Sequence, residues 1–217
     1  ACKALRCGSS RCNRACAPRV FYLMMLTLHH HPAYVPAIPM AVEAGVALQS
    51  DDKLVFSFCC RYQSDERRSL GILLPTPTVP VACDHLWQHT CCEAFVSVPG
   101  ADDYFEFNFA PSGCWAVYRF NDYRVRDDSF QYSSAPSIAL KQHAQGFELT
   151  ATVSPADLLS RWPQHPTWQI GLSAVMETTD HRKSYWAMRH DELEKPDFHV
   201  RTQFLLPLHV STLINTL

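Results

Sequence analysis

The sequence predicts an all-β protein, an antiparallel β-sandwich with one short helix. Short segments of alternating polar and apolar residues recur from about residue 39 onward, and turn residues separate them. In residues 53–62, Leu54, Phe56 and Phe58 share one face of a strand, whereas Ser57 lies on the other. Hydrophobic residues make up 47% of the 217 residues, enough for one ordinary core. We therefore expect about ten strands in a single sandwich.

The predicted strands are short runs bounded by proline, glycine and polar turns. The clearest unit is a three-stranded meander over residues 91–120. Before it, Pro75, Pro77 and Pro80 favour an extended, helix-free connection. Strands are expected at residues 53–62, 70–74, 91–98, 104–109, 114–120, 137–142, 147–153, 168–177, 184–189 and 203–209.

One helical start interrupts the strand pattern. Ser154 is a typical N-cap residue, Pro155 suits the first helical position, and Asp157 places an acid in the first turn. We expect one or two helical turns that end near Ser160.

The first residues differ in composition from the rest of the chain. Residues 1–19 contain five basic residues and no acid, and an apolar run over 20–28 follows. That order resembles a weak secretion signal, but His29-His30-His31 stands where small cleavage-site residues belong. We expect residues 1–24 to be a basic, cysteine-rich extension, disordered or spurious, and residues 25–217 to be the domain. The histidine triplet is interpreted as a mobile strand entrance, and the expected location is cytoplasmic, with secretion as the alternative.

Ten cysteines are many for a chain of this length. The adjacent pairs Cys59-Cys60 and Cys91-Cys92 point to opposite faces of a strand, which does not favour one simple disulfide framework. We interpret most of the later cysteines as small buried hydrophobic residues, and their oxidation state stays open.

Several function classes receive no support from the sequence. A net charge of −2 without a basic block does not favour nucleic-acid binding. No apolar run approaches the roughly 20 residues of a membrane span. No GxSxG elbow, phosphate-binding loop or dinucleotide glycine motif occurs. Glu93 and Glu106 could act as a catalytic acid and base pair, but any β protein offers such pairs by chance, so we expect a noncatalytic domain. The sequence does not determine its oligomeric state.

Four segments carry a resemblance to a known family, at residues 86–95, 104–120, 184–188 and 195–199. They resemble bacterial DOMON-like proteins related to family 9 carbohydrate-binding modules. The resemblance covers roughly residues 25–208 and implies a jelly-roll-like sandwich. Because the wider superfamily includes sugar binders and haem-binding domains, it implies a ligand-binding domain for a sugar or for haem.

A sugar site is predicted at Trp87, Glu93, Asn108, Arg119 and Trp186. Two tryptophans hold the sugar in family 9 modules, and the spacing of Trp87 and Glu93 is similar to that of the first tryptophan and its acid. Trp186 is the expected second wall. Indoles stack on a pyranose ring while a carboxylate, an amide and a guanidinium bind its hydroxyls, which gives Glu93, Asn108 and Arg119 their expected role.

Structural roles stay open for the same residues. Trp87, Trp115 and Trp186 are of a type that fills cores, and Glu93 with Arg119 can form an ion pair between strands. The domain would then be a structural or interaction module without a small-molecule ligand. Four further residues are candidates either for the same pocket or for a solvated loop network: Lys183, Arg189, Asp197 and His199.

Haem is the alternative ligand, because cytochromes of the superfamily use a methionine and a histidine as axial ligands. The residues available by type are Met176, Met188, His190 and His199. For zinc, the ligand types in one short stretch are Cys83, His85, His89 and Cys91. His85 and His89 share a face only on a helix, which the surrounding strand pattern does not favour, so we expect no metal site.

Overall fold

The computed structural model describes residues 25–49, 52–63, 70–76 and 78–214. Twelve strands and two short helices lie in this part of the chain, and they confirm the predicted all-β class. In chain order the elements are β1 Leu26–His30, β2 Met40–Leu48, β3 Leu54–Tyr62, β4 Cys91–Ser97, β5 Tyr104–Phe109, β6 Trp115–Asp122, β7 Val125–Arg126, β8 Ser137–His143, β9 Gly146–Val153, α1 Ala156–Arg161, β10 Thr167–Glu177, β11 Lys183–Ala187, β12 Leu206–His209 and α2 Ser211–Ile214.

The strands form one antiparallel sheet that folds over into two layers. Their order is β7-β6-β5-β4-β10-β11-β1-β2-β3-β9-β8, and β12 pairs with the beginning of β10. Strand β1 joins the layers, because residues 26–28 pair with β2 and residues 29–30 pair with β11. Neighbours that are distant in sequence, such as β3 with β9 and β4 with β10, give the wound connections expected of a jelly-roll-like sandwich.

The main core lies between the two layers. Phe56 of β3 packs against Phe107 and Phe109 of β5, with ring centroids 5.9 and 5.8 Å apart. Leu54 and Phe58 are buried on the same face of β3, as the alternation predicted. Each such side chain contributes about 1.5–3 kcal/mol through burial, so the layers are held together chiefly by apolar contact.

A second, smaller apolar cluster lies on the outer face of the layer that contains β4, β5 and β6. Its buried members are Phe95, Tyr104, Ala116, Tyr118, Phe120 and Phe204. Residues Leu86–Gln88, a short 3-10 turn, and the chain after β11 cover this face. Both faces of β4 and β5 are therefore buried, which explains why their sequences are apolar with few interruptions.

The predicted strand list lacks β1, β2 and β7, and two of its members need correction. Residues 70–74 form no strand and make one isolated bridge, Ile72 with Thr178, because the prolines that follow cannot sustain a ladder. At the end of the list, residues 201–203 form a 3-10 turn, so β12 starts only at Leu206. The predicted helix is confirmed as α1, and one further helical turn, α2, was not predicted.

The histidine triplet is not a mobile entrance. His30 ends β1 opposite Trp186, and His31 is fully buried. The His31 Nε2 atom lies 2.9 Å from the Glu192 carbonyl oxygen. The alternation signal failed here because the partners of β1 come from β11 and the loop after it, far along the sequence. Residues 1–24, for which an extension is predicted, lie outside the described residues.

Four of the later cysteines, Cys59, Cys60, Cys91 and Cys92, are buried free thiols, as predicted, whereas Cys83 and Cys114 are free thiols that are only partly buried. Burial raises the pKa of Cys60 to about 12. In the described residues, no helix is both long and apolar enough to cross a membrane.

One hairpin depends on a glycine. Gly146 begins β9 at a φ of +140°, a conformation that side chains disfavour. A Cβ atom at this position would lie 1.9 Å from the Cys60 carbonyl oxygen. The turn from β8 to β9 therefore requires glycine to let the β3 backbone approach.

Candidate functional site

A cavity of about 340 Å³ opens on the outer face of the layer containing β4, β5, β6, β10 and β11. Its volume lies within the usual range for a small-molecule site. The lining residues are Trp87, Glu93, Glu106, Tyr118, Phe120, Arg124, Arg126, Val175, Tyr185, Pro196, Phe198 and His199.

Two acidic side chains form the floor of the cavity. Glu93 of β4 pairs with Asn108 of β5, and Phe95 pairs with Glu106, so both carboxyl groups project from the same face on a diagonal. Glu93 is 2% exposed and Glu106 is 5% exposed. Burial of two acids side by side among apolar residues is costly and marks this face as unusual.

The two carboxyl groups have few hydrogen-bond partners. Glu106 Oε1 accepts a bond of 2.7 Å from Asn108 Nδ2. Glu93 Oε2 accepts a bond of 3.3 Å from the Ser173 hydroxyl. The other oxygen of Glu93, Oε1, is buried without a partner among the residues that the structure describes.

Burial makes both acids hold protons near neutral pH. It raises the pKa of Glu106 to about 7, although the bond from Asn108 and the charges of Arg124 and Arg126 act in the opposite direction. It raises the pKa of Glu93 still more clearly above the ordinary range, and the charge of Glu106 adds to that rise. The floor is therefore readily switched between neutral and anionic forms by what binds above it.

His199 stands beside Glu106 as a neutral imidazole. Burial lowers its pKa to about 4, and the charge of Arg124 adds to the effect. The Tyr104 hydroxyl accepts the Arg124 backbone N–H at 3.1 Å, so its own proton is free to bind His199 Nδ1 at 2.8 Å. The remaining proton then lies on Nε2, which is 3.8 Å from Glu106 Oε2.

Arg124 lies at the rim, in the two-residue turn between β6 and β7, with a φ of 56°. Its guanidinium donates to Asp197 Oδ1 at 2.8 Å, and the Tyr123 hydroxyl donates to Asp197 Oδ2 at 2.5 Å. Burial would raise the pKa of Asp197, but these bonds and one from the His199 backbone N–H hold it below the ordinary value. Asp197 therefore stays charged and fixes the rim in place.

Arg126 forms the adjoining part of the rim. Its guanidinium lies 4.2 Å above the centroid of the Tyr118 ring and 3.6 Å from Asp84. The Tyr118 hydroxyl donates to the same Asp84 at 2.7 Å. This network orients the Tyr118 ring along the cavity wall.

Aromatic side chains make up most of the wall. Trp87 sits in the 3-10 turn that His85 opens in a left-handed conformation, and 37% of it is exposed. Its ring meets Tyr118 edge on, with centroids 6.0 Å apart. Tyr185 and Phe198, whose ring centroids are 6.4 Å apart, also line the cavity. The cavity thus combines apolar ring faces with acids below and arginines at its mouth.

The structure brings together part of the predicted site. Trp87 and Glu93 line the cavity, and Asn108 lies behind it and holds Glu106. Arg119 and Trp186 lie on the opposite face of the sheet and are not part of this cavity. Alternation explains the difference, because Arg119 pairs with Phe105 and Trp186 pairs with Ala174, both of which face the main core.

Both displaced residues have structural roles. The Arg119 Nε donates to Asp127 Oδ2 at 2.9 Å, so the ion pair with Glu93, one of the alternatives left open by the sequence, does not form. Trp186 is 4% exposed, belongs to the main core and donates to the Ser184 hydroxyl at 3.0 Å. The core alternative therefore holds for this tryptophan and not for Trp87.

Some of the residues that line the cavity were not predicted from the sequence. Tyr118 could have been predicted, because it pairs with Glu106 in the meander and therefore lies on the same face of the sheet. No sequence pattern indicates Arg124 and Arg126, because the conformation of the turn between β6 and β7 sets the direction of their side chains. Of the further candidates, His199 lines the cavity and Asp197 anchors Arg124, whereas Lys183 and Arg189 are not among the lining residues.

The possible haem and zinc ligands are dispersed. Met176 is buried in the main core, and His190 Nε2 lies 2.8 Å from the His29 carbonyl oxygen, so a methionine and histidine pair is not assembled at the cavity beside His199. That ligand set does not fit haem in this cavity. The four candidate zinc ligands have separate surroundings, and the described ranges contain no group of three or more metal-binding side chains.

The fold has a counterpart among solved structures. It is similar to a crystal structure of a "putative carbohydrate-binding protein" from Bacteroides uniformis, with a TM-score of 0.55 and 13% sequence identity over 85% of this chain and 84% of that protein. No family model matches the chain, and no curated protein matches it. At this identity the likeness shows a shared fold and transfers no residue role.

Proposed function

We propose that this protein is a noncatalytic carbohydrate-binding domain whose ligand occupies the cavity beside Trp87. The observation that carries the proposal is the combination of an aromatic wall with two buried carboxyl groups on the floor. A sugar ring needs both, because its C–H faces pack on aromatic rings while its hydroxyls require hydrogen-bond partners.

Each part of the cavity has a place in this proposal. Trp87 and Tyr118 supply ring surface at the mouth, where a pyranose can stack. Glu93 and Glu106 accept hydroxyl protons when ionised, and they donate as well as accept when protonated. Arg124 and Arg126 donate to hydroxyls or the ring oxygen from the rim. Asn108 acts through Glu106, which it keeps in position.

The shared fold also supports the proposal. The similar Bacteroides uniformis protein is described as a "putative carbohydrate-binding protein", and the likeness covers 85% of this chain. The closer relationship to DOMON-like proteins and family 9 modules is part of what we propose and rests on the sequence segments that suggested it.

Tryptophan fluorescence provides the test. Of the five tryptophans in the sequence, Trp87 is the one that is exposed, so a sugar stacked there changes a distinct emission component. We expect a saturable change with at least one sugar in a panel of mono- and disaccharides. Trp87→Ala should abolish binding measured by calorimetry, whereas Trp87→Phe should remove the signal and retain part of the affinity.

Controls separate this proposal from its alternatives. Far-ultraviolet circular dichroism checks that each variant is folded. A flat response to the whole panel in both calorimetry and fluorescence would contradict sugar binding. Release of reducing sugar from a bound disaccharide would contradict the noncatalytic assignment. Haemin is titrated in parallel, and a saturable visible absorption band would favour haem.

A further inference from the structure

We propose that the ligand carries a protonated amino group, which binds between Glu93 and Glu106 at the floor of the cavity. This inference rests on the proposed function and narrows it, because it makes the ligand an amino sugar rather than a neutral sugar. Three features of the cavity support it independently of any relative.

The first feature is the unsatisfied oxygen of Glu93. Glu93 lines the cavity and is 2% exposed, yet its Oε1 has no partner among the described residues. A buried carboxyl oxygen without a donor is expensive, and native structures seldom leave one without a reason. An ammonium group offers three donors in a compact space, enough to reach Glu93 and Glu106 together.

The second feature is the charge balance around the floor. Arg124 is paired with Asp197, and Arg126 is close to both Asp84 and Asp128. Neither Glu93 nor Glu106 has a lysine or arginine within ion-pair distance in the described part of the chain.

The remaining polar groups around the floor do not supply that charge. His199 faces Glu106 at 3.8 Å as a neutral ring, and Ser173, Asn108, Tyr104 and Tyr185 are uncharged at neutral pH. Each rim arginine is thus paired with an aspartate of its own, and although the charges of both arginines reach Glu106, no lysine or arginine of the described residues forms an ion pair with either floor acid. A cationic ligand group supplies the ion-pair partner.

The third feature is the aromatic wall. Phe120, Tyr118, Tyr185 and Phe198 surround the space above the acids, with Trp87 at the mouth. Ring faces attract a cation through their quadrupoles, and the attraction is stronger where water is displaced. The two acids at the floor and the aromatic rings of the wall together form a site for an ammonium group. The arginines at the rim favour hydroxyl oxygens of the part of the ligand that lies nearer the cavity mouth. The ligand therefore enters with its amino group first.

The experiment compares ligands that differ in one group. Glucosamine, galactosamine and mannosamine are titrated at pH 7 beside their parent hexoses and their N-acetyl derivatives. Cyclohexylamine and cyclohexanol provide the same comparison without the sugar hydroxyls. We expect at least one hexosamine to bind about tenfold or more tightly than its parent hexose and its N-acetyl form, because hydrogen bonds to charged groups are the stronger class.

The variants assign the effect to the floor. Glu93→Gln removes the group that can ionise when an ammonium group binds, and it keeps the shape and the bond from Ser173. The hexosamine-to-hexose affinity ratio should therefore fall towards one. Glu106→Gln should lower the same affinity ratio, and it replaces Glu93→Gln as the test if that variant does not fold. Glu148→Gln, the same change at a half-exposed site on β9, should leave the ratio unchanged.

The outcomes distinguish the two proposals. If neutral sugars bind as tightly as hexosamines, the proposal of a bound amino group is wrong and the proposed carbohydrate-binding function stands. If cyclohexylamine binds and no sugar does, the amino-group proposal is supported and the carbohydrate-binding function is wrong. A hexosamine preference that survives in both floor variants overturns the placement, and no binding by any probe overturns both proposals.

Discussion

Replacing Glu106 with glutamine should make the domain more stable at neutral pH. Glutamine keeps the size of the side chain and an oxygen for the bond from Asn108, but it carries no ionisable group. The wild-type acid sits 5% exposed beside Glu93. At neutral pH, the cost of ionising this buried carboxyl group therefore lowers the free energy of unfolding.

The magnitude follows from the two pKa values of Glu106. In the unfolded chain its pKa is 4.5, and in the folded protein burial raises the pKa to about 7. Below pH 4.5 both states hold the proton. Between pH 4.5 and 7 only the folded state keeps it, so the free energy of unfolding falls as the pH rises. The loss levels off above pH 7 at about 3 kcal/mol, and Glu93 adds a loss of the same sign.

His199 acts in the opposite direction and must be separated out. Burial lowers its pKa to about 4, so it destabilises the folded state as the pH falls below the ordinary histidine value of 6.5. The wild-type profile contains both effects. The difference between Glu106→Gln and wild type at each pH isolates the carboxyl group.

Urea denaturation followed by tryptophan fluorescence measures this difference between pH 4.5 and 7.5. We expect the gain in stability from Glu106→Gln to grow by about 3 kcal/mol across that range. Glu148→Gln is the matched control, because its side chain on β9 is 45% exposed. If the Glu106→Gln and wild-type curves run parallel throughout the range, the acid is not held protonated and the reasoning is refuted.

Three further substitutions test the fold and the limits of the site. Gly146→Ala should cost at least about 2 kcal/mol in urea denaturation, because the new methyl group meets the Cys60 carbonyl oxygen at a strained φ; a neutral result would contradict the close approach. Arg119→Gln should change ligand affinity less than about twofold and stability by about 1 kcal/mol or less, since it removes an ion pair with Asp127 away from the cavity; calorimetry that shows lost binding would bring Arg119 back into the site. Trp186→Ala should cost about 3 kcal/mol or more by thermal denaturation because it empties core volume, and an unchanged midpoint would contradict its burial.

The sequence was sufficient for most of the fold because the strands obey simple periodicity. In residues 53–62 the buried and less buried positions alternate, and the meander over residues 91–120 contains its own turns. Each of these signals is local, so it can be read without knowledge of partners. Strand β1 lacks such a signal, since it is short, begins inside the apolar run over 20–28 and pairs at its end with the distant β11.

The site was harder to predict because both faces of its strands are buried. On β6, Tyr118 and Arg119 are neighbours that point to opposite faces, and nothing local identifies the face with the cavity. The same ambiguity applies to Trp186, because the register of β11 turns its side chain into the core. Trp87 reaches the cavity from the 3-10 turn before β4 and not from a strand.

Strand β1 also determines when folding can be completed. Strand β2, the first partner of β1, follows it directly in the sequence. The second partner of β1 is β11, and the nearby contact of His31 with Glu192 joins residues 161 positions apart. Closing so long a segment costs chain entropy before the contacts repay it, which is typical of slowly folding β topologies. During synthesis, β2 and β3 are made long before β11, so their apolar faces precede the strand that pairs with the end of β1. We therefore expect the yield of native protein to depend on how well this early hairpin avoids other chains until the last third of the domain has been made.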